Sequence, residues 1–130
     1  MEKKHFDVVA AVIQKGKKYF CVQRTRSEFD YTSEHWEFPG GKVKAGECDH
    51  EALIREIKEE MDWDVFVGRR LARVEYDYPD FSITLTAYLC RPGDGEPTLF
   101  EHLNSRWCTA KQIPRLKLTA ADRLLLPFIP

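Results

Sequence analysis

No stretch of this sequence approaches the roughly twenty consecutive apolar residues that a membrane-crossing helix needs. The opening Met1-Glu2-Lys3-Lys4-His5-Phe6-Asp7 also lacks the long apolar centre of a secretory leader. Both absences predict a cytoplasmic protein that does not engage a membrane. An excess of one charge is missing too: 20 basic against 21 acidic residues leave a formal net charge of −1, so no basic groove for nucleic acid is expected. The four cysteines, Cys21, Cys48, Cys90 and Cys108, include no Cys-x-x-Cys pair, and neither a zinc site nor a disulfide framework is signalled. Reduced thiols are expected. Cys21, Cys90 and Cys108 sit in apolar strand-like runs as small core residues, whereas Cys48 precedes a helix as a weak substitute for Ser or Thr, backed by Glu51 in a capping box. Repeats and low-complexity tracts are absent as well. A chain of 130 residues is large enough for its own core, and residues 1–130 are expected to form one domain.

What the sequence does contain is a glycine-rich loop running into an acidic helix, Gly40 to Asp64. Side chains at i, i+3 and i+4 share a helix face, so Glu56, Glu59 and Glu60 point the same way. Three crowded carboxylates repel one another unless cations sit among them, and hard divalent cations with oxygen ligands suit that need. Leu53, Ile57 and Met61, with Ile54 beside Leu53, supply an apolar stripe for the core. Ala52 is placed on the acidic side. Arg55, four positions before Glu59, is placed to pair with and aim that carboxylate.

Written as a pattern, Gly41, five residues, Glu47, seven residues, Arg55-Glu56-Ile57, one residue and Glu59-Glu60 resembles the Nudix box, the signature of the Nudix hydrolases. Two positions depart from it: Asp62 stands where the family usually has Gly, and Trp63 where it usually has an aliphatic residue. Asp tolerates a left-handed helix cap less well than Gly, so a strained or differently capped helix end is expected, with no ligand lost. The resemblance implies an α+β chain with the Nudix α/β/α sandwich around a mixed central sheet. It implies hydrolysis of a phosphoric anhydride, with magnesium, or alternatively manganese, held by Glu56, Glu59, Glu60, Glu101 and the Gly40 carbonyl. Glu47 and Arg55 would support and orient these ligands, with Gly41 completing the motif. The base for the attacking water is left open among Glu59, Glu60 and Glu101.

Along the rest of the chain, Phe6 to Gln14 and Tyr19 to Val22 are predicted to pair as a hairpin around Lys15-Gly16-Lys17. Arg24 and Arg26 follow at the mouth of a polar loop, Ser27 to Glu34, and by resemblance Arg24 meets phosphate. The run His35-Trp36-Glu37-Phe38-Pro39-Gly40-Gly41-Lys42 resembles the Nudix subgroup related to MutT and to bacterial CTP pyrophosphohydrolase, and places Glu37 and Lys42 beside substrate. Val65 to Tyr76 and Phe81 to Cys90 are predicted to form a half-buried hairpin, since Phe81, Ile83 and Leu85 alternate with Ser82, Thr84 and Thr86. Tyr78 at its bend resembles the aromatic residue of the base pocket, a place in the core being the alternative. His102 is expected to be a surface histidine. Leu118 to Leu126 reads as a closing helix capped by Thr119.

Asp122 in that helix stands where the subgroup touches the nucleobase; its alternative role is to brace the helix. An ionised Asp only accepts hydrogen bonds and the exocyclic amine of cytosine only donates them. The expected reaction is therefore cleavage of CTP, dCTP or a modified cytosine nucleotide to the monophosphate and pyrophosphate, with attack at the β phosphorus by resemblance to the subgroup. A MutT-like 8-oxo-dGTP diphosphatase, a hydrolase of another nucleoside diphosphate derivative, and a non-catalytic binding module are the alternatives. The expected partner is a small-molecule nucleotide, for a monomer or homodimer that binds neither nucleic acid nor membrane.

Overall fold

The apolar run Val8 to Ile13 lies inside a long strand, β1 (Lys4–Lys15), and the computed structural model, which describes residues 3–130, shows what covers each face of it. Met1 and Glu2, part of the N-terminal stretch read above, lie outside the described residues. β1 turns at Gly16, where φ is 61°, into β2 (Lys18–Gln23). The two strands pair only through Gln14–Tyr19 and Lys15–Lys18, so the expected hairpin is confined to its turn end. β1 is claimed elsewhere: it runs parallel to β6 (Phe81–Pro92), from Lys4 opposite Phe81 to Ile13 opposite Cys90. On its other edge it pairs with β4 (Gly40–Lys42).

The expected hairpin of β5 (Val65–Asp77) and β6 is present, with register shifts between Val67 and Ala72. The strand order is β3-β2-β1-β6-β5, where β3 is Trp36–Glu37; β4 adds to β1, and β7 (Asn104–Thr109) adds to β2. This is the mixed sheet expected. β6 is more buried than its alternation suggested: Thr84 and Thr86 are buried along with Ile83 and Leu85, because β1 and β5 flank the strand on both edges.

Alternate residues of β1 feed two cores. Val9, Ala11 and Ile13 pack with Ala52, Leu53, Ile57 and Met61 of α1 (Asp49–Met61). Ala10 and Val12 face the opposite layer, which brings Ile113, Leu116, Leu118, Ala121 and Leu125 from the C-terminal segment. The apolar stripe of α1 is narrower than expected, since Ile54 is 46% exposed, and Ala52 belongs to the core and not to the acidic side. At its start the Cys48 N–H donates to Glu51 Oε1 at 3.2 Å, the Glu51 half of the expected capping box. At its end Asp62 itself takes the left-handed conformation, φ 47° and ψ 45°, and its N–H reaches the Lys58 carbonyl at 3.0 Å. Trp63 turns into the core against Phe20, ring centroids 5.1 Å apart.

The closing helix is shorter than predicted. α2 spans only Ala120–Arg123, because the N–H groups of Leu124 and Leu125 reach back three residues instead of four and Pro127 has no N–H to continue the ladder. Thr119 precedes it without a side-chain cap; its hydroxyl is buried with no partner. Cys21, Cys90 and Cys108 are buried, as read, and Cys48 is exposed. Among the described residues no helix is long and apolar enough to cross a membrane.

Candidate active site

The two glycines of β4 are there for close approach. A Cβ on Gly40 would lie 1.9 Å from the Val9 carbonyl oxygen, and one on Gly41 would lie 2.3 Å from the carboxyl carbon of Glu56. Seating β4 on β1 therefore brings the backbone of Gly41 against the acidic face of α1. Arg55 then ties loop to helix. Its Nε and Nη2 grip Glu47 at 2.6 and 2.8 Å, Nη1 reaches Glu56 at 3.0 Å and Glu59 at 3.2 Å, and Nη2 also meets the Lys42 carbonyl at 3.1 Å. The expected pairing with Glu59 is present, but Glu47 is the principal partner. The bond from Arg55 holds the Glu47 carboxyl down at about 2.

Glu60 has a different setting. Its side chain is 18% exposed, and among the described residues Oε2 is buried without a hydrogen-bond partner and no guanidinium reaches it. Burial, followed by the nearby charges of Glu56, Glu37 and Glu101, pushes its carboxyl up to about 9. Beside it, Nε2 of His102 stands 3.9 Å from Oε2. His102 is thus not the surface histidine expected: its side chain is 8% exposed, and burial lowers its pKa. Three backbone bonds account for this. Thr98 N–H meets the Met61 carbonyl at 2.8 Å, Phe100 N–H meets the Glu60 carbonyl at 3.4 Å, and Leu103 N–H meets the Gln23 carbonyl at 2.9 Å. The first two satisfy open carbonyls at the end of α1, drawing the loop with Glu101 and His102 over it. Nothing local in the sequence signals that docking.

A cleft of about 990 Å³ runs from Glu56, Glu60 and Glu101 to Tyr78 and Asp122. Two short backbone bonds place its far end: Trp36 N–H to the Lys117 carbonyl at 2.7 Å, and Thr119 N–H to the Trp36 carbonyl at 2.9 Å. They lay α2 beside β3, so that Asp122 Oδ2 accepts the Phe38 N–H at 2.7 Å. Burial, then the charge of Glu37, raises the Asp122 carboxyl to about 7. Asp122 is therefore not the plain ionised acceptor expected, and one of its oxygens already braces β3. Glu37 is raised by burial against the opposing pull of Arg24, whose Nη1 lies 3.2 Å from both its oxygens. Arg24 keeps a buried Nε without a partner. The Tyr78 hydroxyl accepts the Ala121 N–H at 3.1 Å, and its ring stacks on Tyr31 at 5.2 Å. Lys42 extends over the Phe6 ring at 3.8 Å.

Of the residues singled out in the sequence, Arg24, Glu37, Gly40, Gly41 and Lys42 line this cleft with Glu56, Glu60, Tyr78, Glu101 and Asp122. Glu47, Arg55 and Glu59 do not; Glu59 is 55% exposed and turned toward Arg55. Among the described residues no three His, Cys, Asp or Glu side chains form a ready cation cage. The donor set nevertheless suits a hard divalent cation. The donors are carboxylate oxygens, and one of them is buried and unpartnered on a group whose negative charge is disfavoured until positive charge arrives.

The NUDIX domain profile matches residues 3–128. The chain is 32% identical to a CTP pyrophosphohydrolase of Escherichia coli over 123 residues, 95% of this chain and 90% of that protein. It is 37% identical to an 8-oxo-dGTP diphosphatase of Proteus vulgaris over 99 residues, 75% of this chain and 87% of the relative. The solution structure of the E. coli ORF135 protein superposes with a TM-score of 0.81 at 32% identity, covering 97% of this chain and 89% of that one. A MutT Nudix hydrolase from Burkholderia pseudomallei shares the fold at 24% identity, with a TM-score of 0.82 and coverage of 98% and 100%. The chain belongs to the Nudix family, whose hydrolases in general need divalent cations.

Proposed function

We propose that residues 1–130 act as one cytosolic domain that hydrolyses a nucleoside triphosphate to its monophosphate and pyrophosphate, with cytosine nucleotides as the preferred substrates. The observation that carries this reading is the single cleft joining an acidic end, Glu56, Glu60 and Glu101, to an aromatic end with a buried Asp. A triphosphate spans such a cleft: phosphates at the carboxylates, base against Tyr78 and beside Asp122. The similarity to the E. coli CTP pyrophosphohydrolase, over nearly the whole chain, supports the choice of base.

In this reading Glu56, Glu60, Glu101 and the Gly40 carbonyl, joined by Glu59 on release from Arg55, would hold magnesium, or manganese, whose charge would neutralise that of the phosphates. Arg55 and Glu47 keep the box loop on the helix. Arg24, anchored by Glu37, and Lys42 contribute positive charge along the phosphates. One of Glu59, Glu60 and Glu101 takes the proton of water as its oxygen bonds to the β phosphorus and the bond to the α-phosphate oxygen breaks. Water excluded around Asp122 makes its hydrogen bond to the base count, because a base without a matching group leaves a buried polar atom unpaired.

A second reading, cleavage of 8-oxo-dGTP, draws on the Proteus vulgaris relative and on the raised pKa of Asp122, which near neutrality supplies a donor for a purine carbonyl. A magnesium-supported panel of CTP, dCTP, UTP and 8-oxo-dGTP decides between the readings. The expected result is a kcat/KM for CTP or dCTP well above that for UTP and 8-oxo-dGTP. Equal rates on CTP and UTP would remove base reading by Asp122, and no pyrophosphate from any triphosphate would remove the function.

A further inference from the structure

We infer that His102 is a positioning residue for Glu60, its Nε2–H orienting the buried carboxylate toward a divalent cation; this rests on the reading of Glu60 as a cation ligand. The carboxylates at the entrance of the box obtain their orientation from Arg55, which bonds to Glu47, Glu56 and Glu59. Glu60 lies beyond its reach. Among the described residues, His102 is the one basic side chain within ion-pair distance of Glu60.

Both partners carry an unsatisfied buried atom, Glu60 Oε2 and His102 Nδ1, and among the described residues few buried side-chain polar atoms are left so. Such atoms are held in place by surrounding structure: His102 is fixed by the loop bonds of Phe100 and Leu103 on either side of it. From 3.9 Å, a shift of about 1 Å by the carboxylate brings Oε2 within hydrogen-bond distance of Nε2. The choice of side chain also has a physical reason. A neutral imidazole donates one N–H without a permanent charge, so it aims a carboxylate while leaving its negative charge undiminished for a cation. Donors in this indirect role typically change cation affinity by about ten- to a hundredfold when removed.

The test uses the intact chain without nucleotide and Mn2+ as probe, free Mn2+ being counted by electron paramagnetic resonance. His102→Leu keeps the bulk and removes the donor; His102→Gln keeps an N–H near the position of Nε2. The Leu variant is expected to weaken Mn2+ binding by about tenfold or more, and the Gln variant to stay within about threefold of wild type. Adding His102→Leu to Glu60→Gln should bring no further loss. Circular dichroism melting of the variants identifies any that fail to fold; should His102→Leu be one, His102→Ala takes its place, and wild-type Mn2+ binding in that variant likewise overturns the inference. Wild-type binding in His102→Leu, or an equal loss in His102→Gln and His102→Leu, overturns the inference while leaving Glu60 a ligand. Wild-type binding in Glu60→Gln overturns both.

Discussion

Glu47, gripped by Arg55, and Glu60, buried in the cleft, come from neighbouring parts of the same fold, yet pairing and burial shift their carboxyls in opposite directions. On the Arg55 side, Glu47, Glu56 and Glu59 share one guanidinium, and the Glu47 carboxyl is held down at about 2. On the cleft side, Glu60 is pushed up to about 9, Asp122 to about 7 and Glu37 upward, with Arg24 bonded to Glu37 as the cation in contact. The first set joins loop to helix whether or not a ligand is present. The second disfavours its own negative charge until cation or substrate arrives, a conflict between local stability and function that is expected at binding sites.

The comparison breaks most visibly at Glu60. Glu60→Gln removes the charge that the cleft holds ready, and turnover at saturating magnesium should fall by about a hundredfold or more. A near wild-type kcat would mean that the cleft carboxylate is not the working one. The next largest effect is expected at Arg55. Arg55→Ala releases Glu47, Glu56 and Glu59 together and should lower activity about tenfold to a hundredfold. It should also lower the urea midpoint of unfolding. Arg55→Lys should not restore either, because one ammonium cannot grip Glu47 with two parallel bonds while reaching two other carboxylates. Full rescue by Lys would reduce the Arg55 set to simple charge balance. The smallest effect belongs at Asp62, outside both sets. Its left-handed conformation is one that Gly adopts freely, so Asp62→Gly should raise stability by about 1 kcal/mol and leave kcat unchanged. A change in kcat without a change in melting would show that the helix end communicates with the site.

Local chemistry made one of these regions legible in the sequence and hid half of the other. Gly41, Glu47, Arg55, Glu56 and Glu59 lie within a helix and its leading loop, where spacing fixes who meets whom, and their contacts follow the pattern. The strands β1, β2, β5 and β6, the buried cysteines and the turn at Gly16 were readable for the same reason, whereas β3 and β4 lie in a run read as loop. The parallel pairing of β1 with β6 was not, since it joins strands far apart in the chain. Nor was the burial of His102, which depends on carbonyls at the end of α1 recruiting a distant loop. Asp122 shows the limit within a single residue: its type and place suggested an acceptor, but burial, then the charge of Glu37 from another segment, raises its pKa, while the Phe38 N–H takes up one of its oxygens. The length of α2 was misread because a leucine-rich helical pattern gave way to tighter turns before Pro127.

The pH dependence of melting of the metal-free protein tests the opposition of the two sets most directly. In the folded, metal-free state Glu60 titrates near 9 against an ordinary value of 4.5, so between those values the folded chain holds a proton that the unfolded chain has lost. Stability should then fall as pH rises through that window. Asp122 acts in the same direction only up to about 7, and the buried Cys21 and Cys90 thiols, raised above their ordinary 9, add to the fall only as pH nears 9, which leaves the fall between about pH 7 and 8 to Glu60. Glu47 works the other way, its contribution complete above 4.5 and lost as pH drops toward 2. In EDTA the melting temperature of the wild type should decline from pH 7 to 8. Saturating magnesium should abolish the decline, and Glu60→Gln should show neither the decline nor the response to magnesium. A wild type whose melting temperature is level from pH 7 to 8, and matches Glu60→Gln with or without magnesium, would contradict the account.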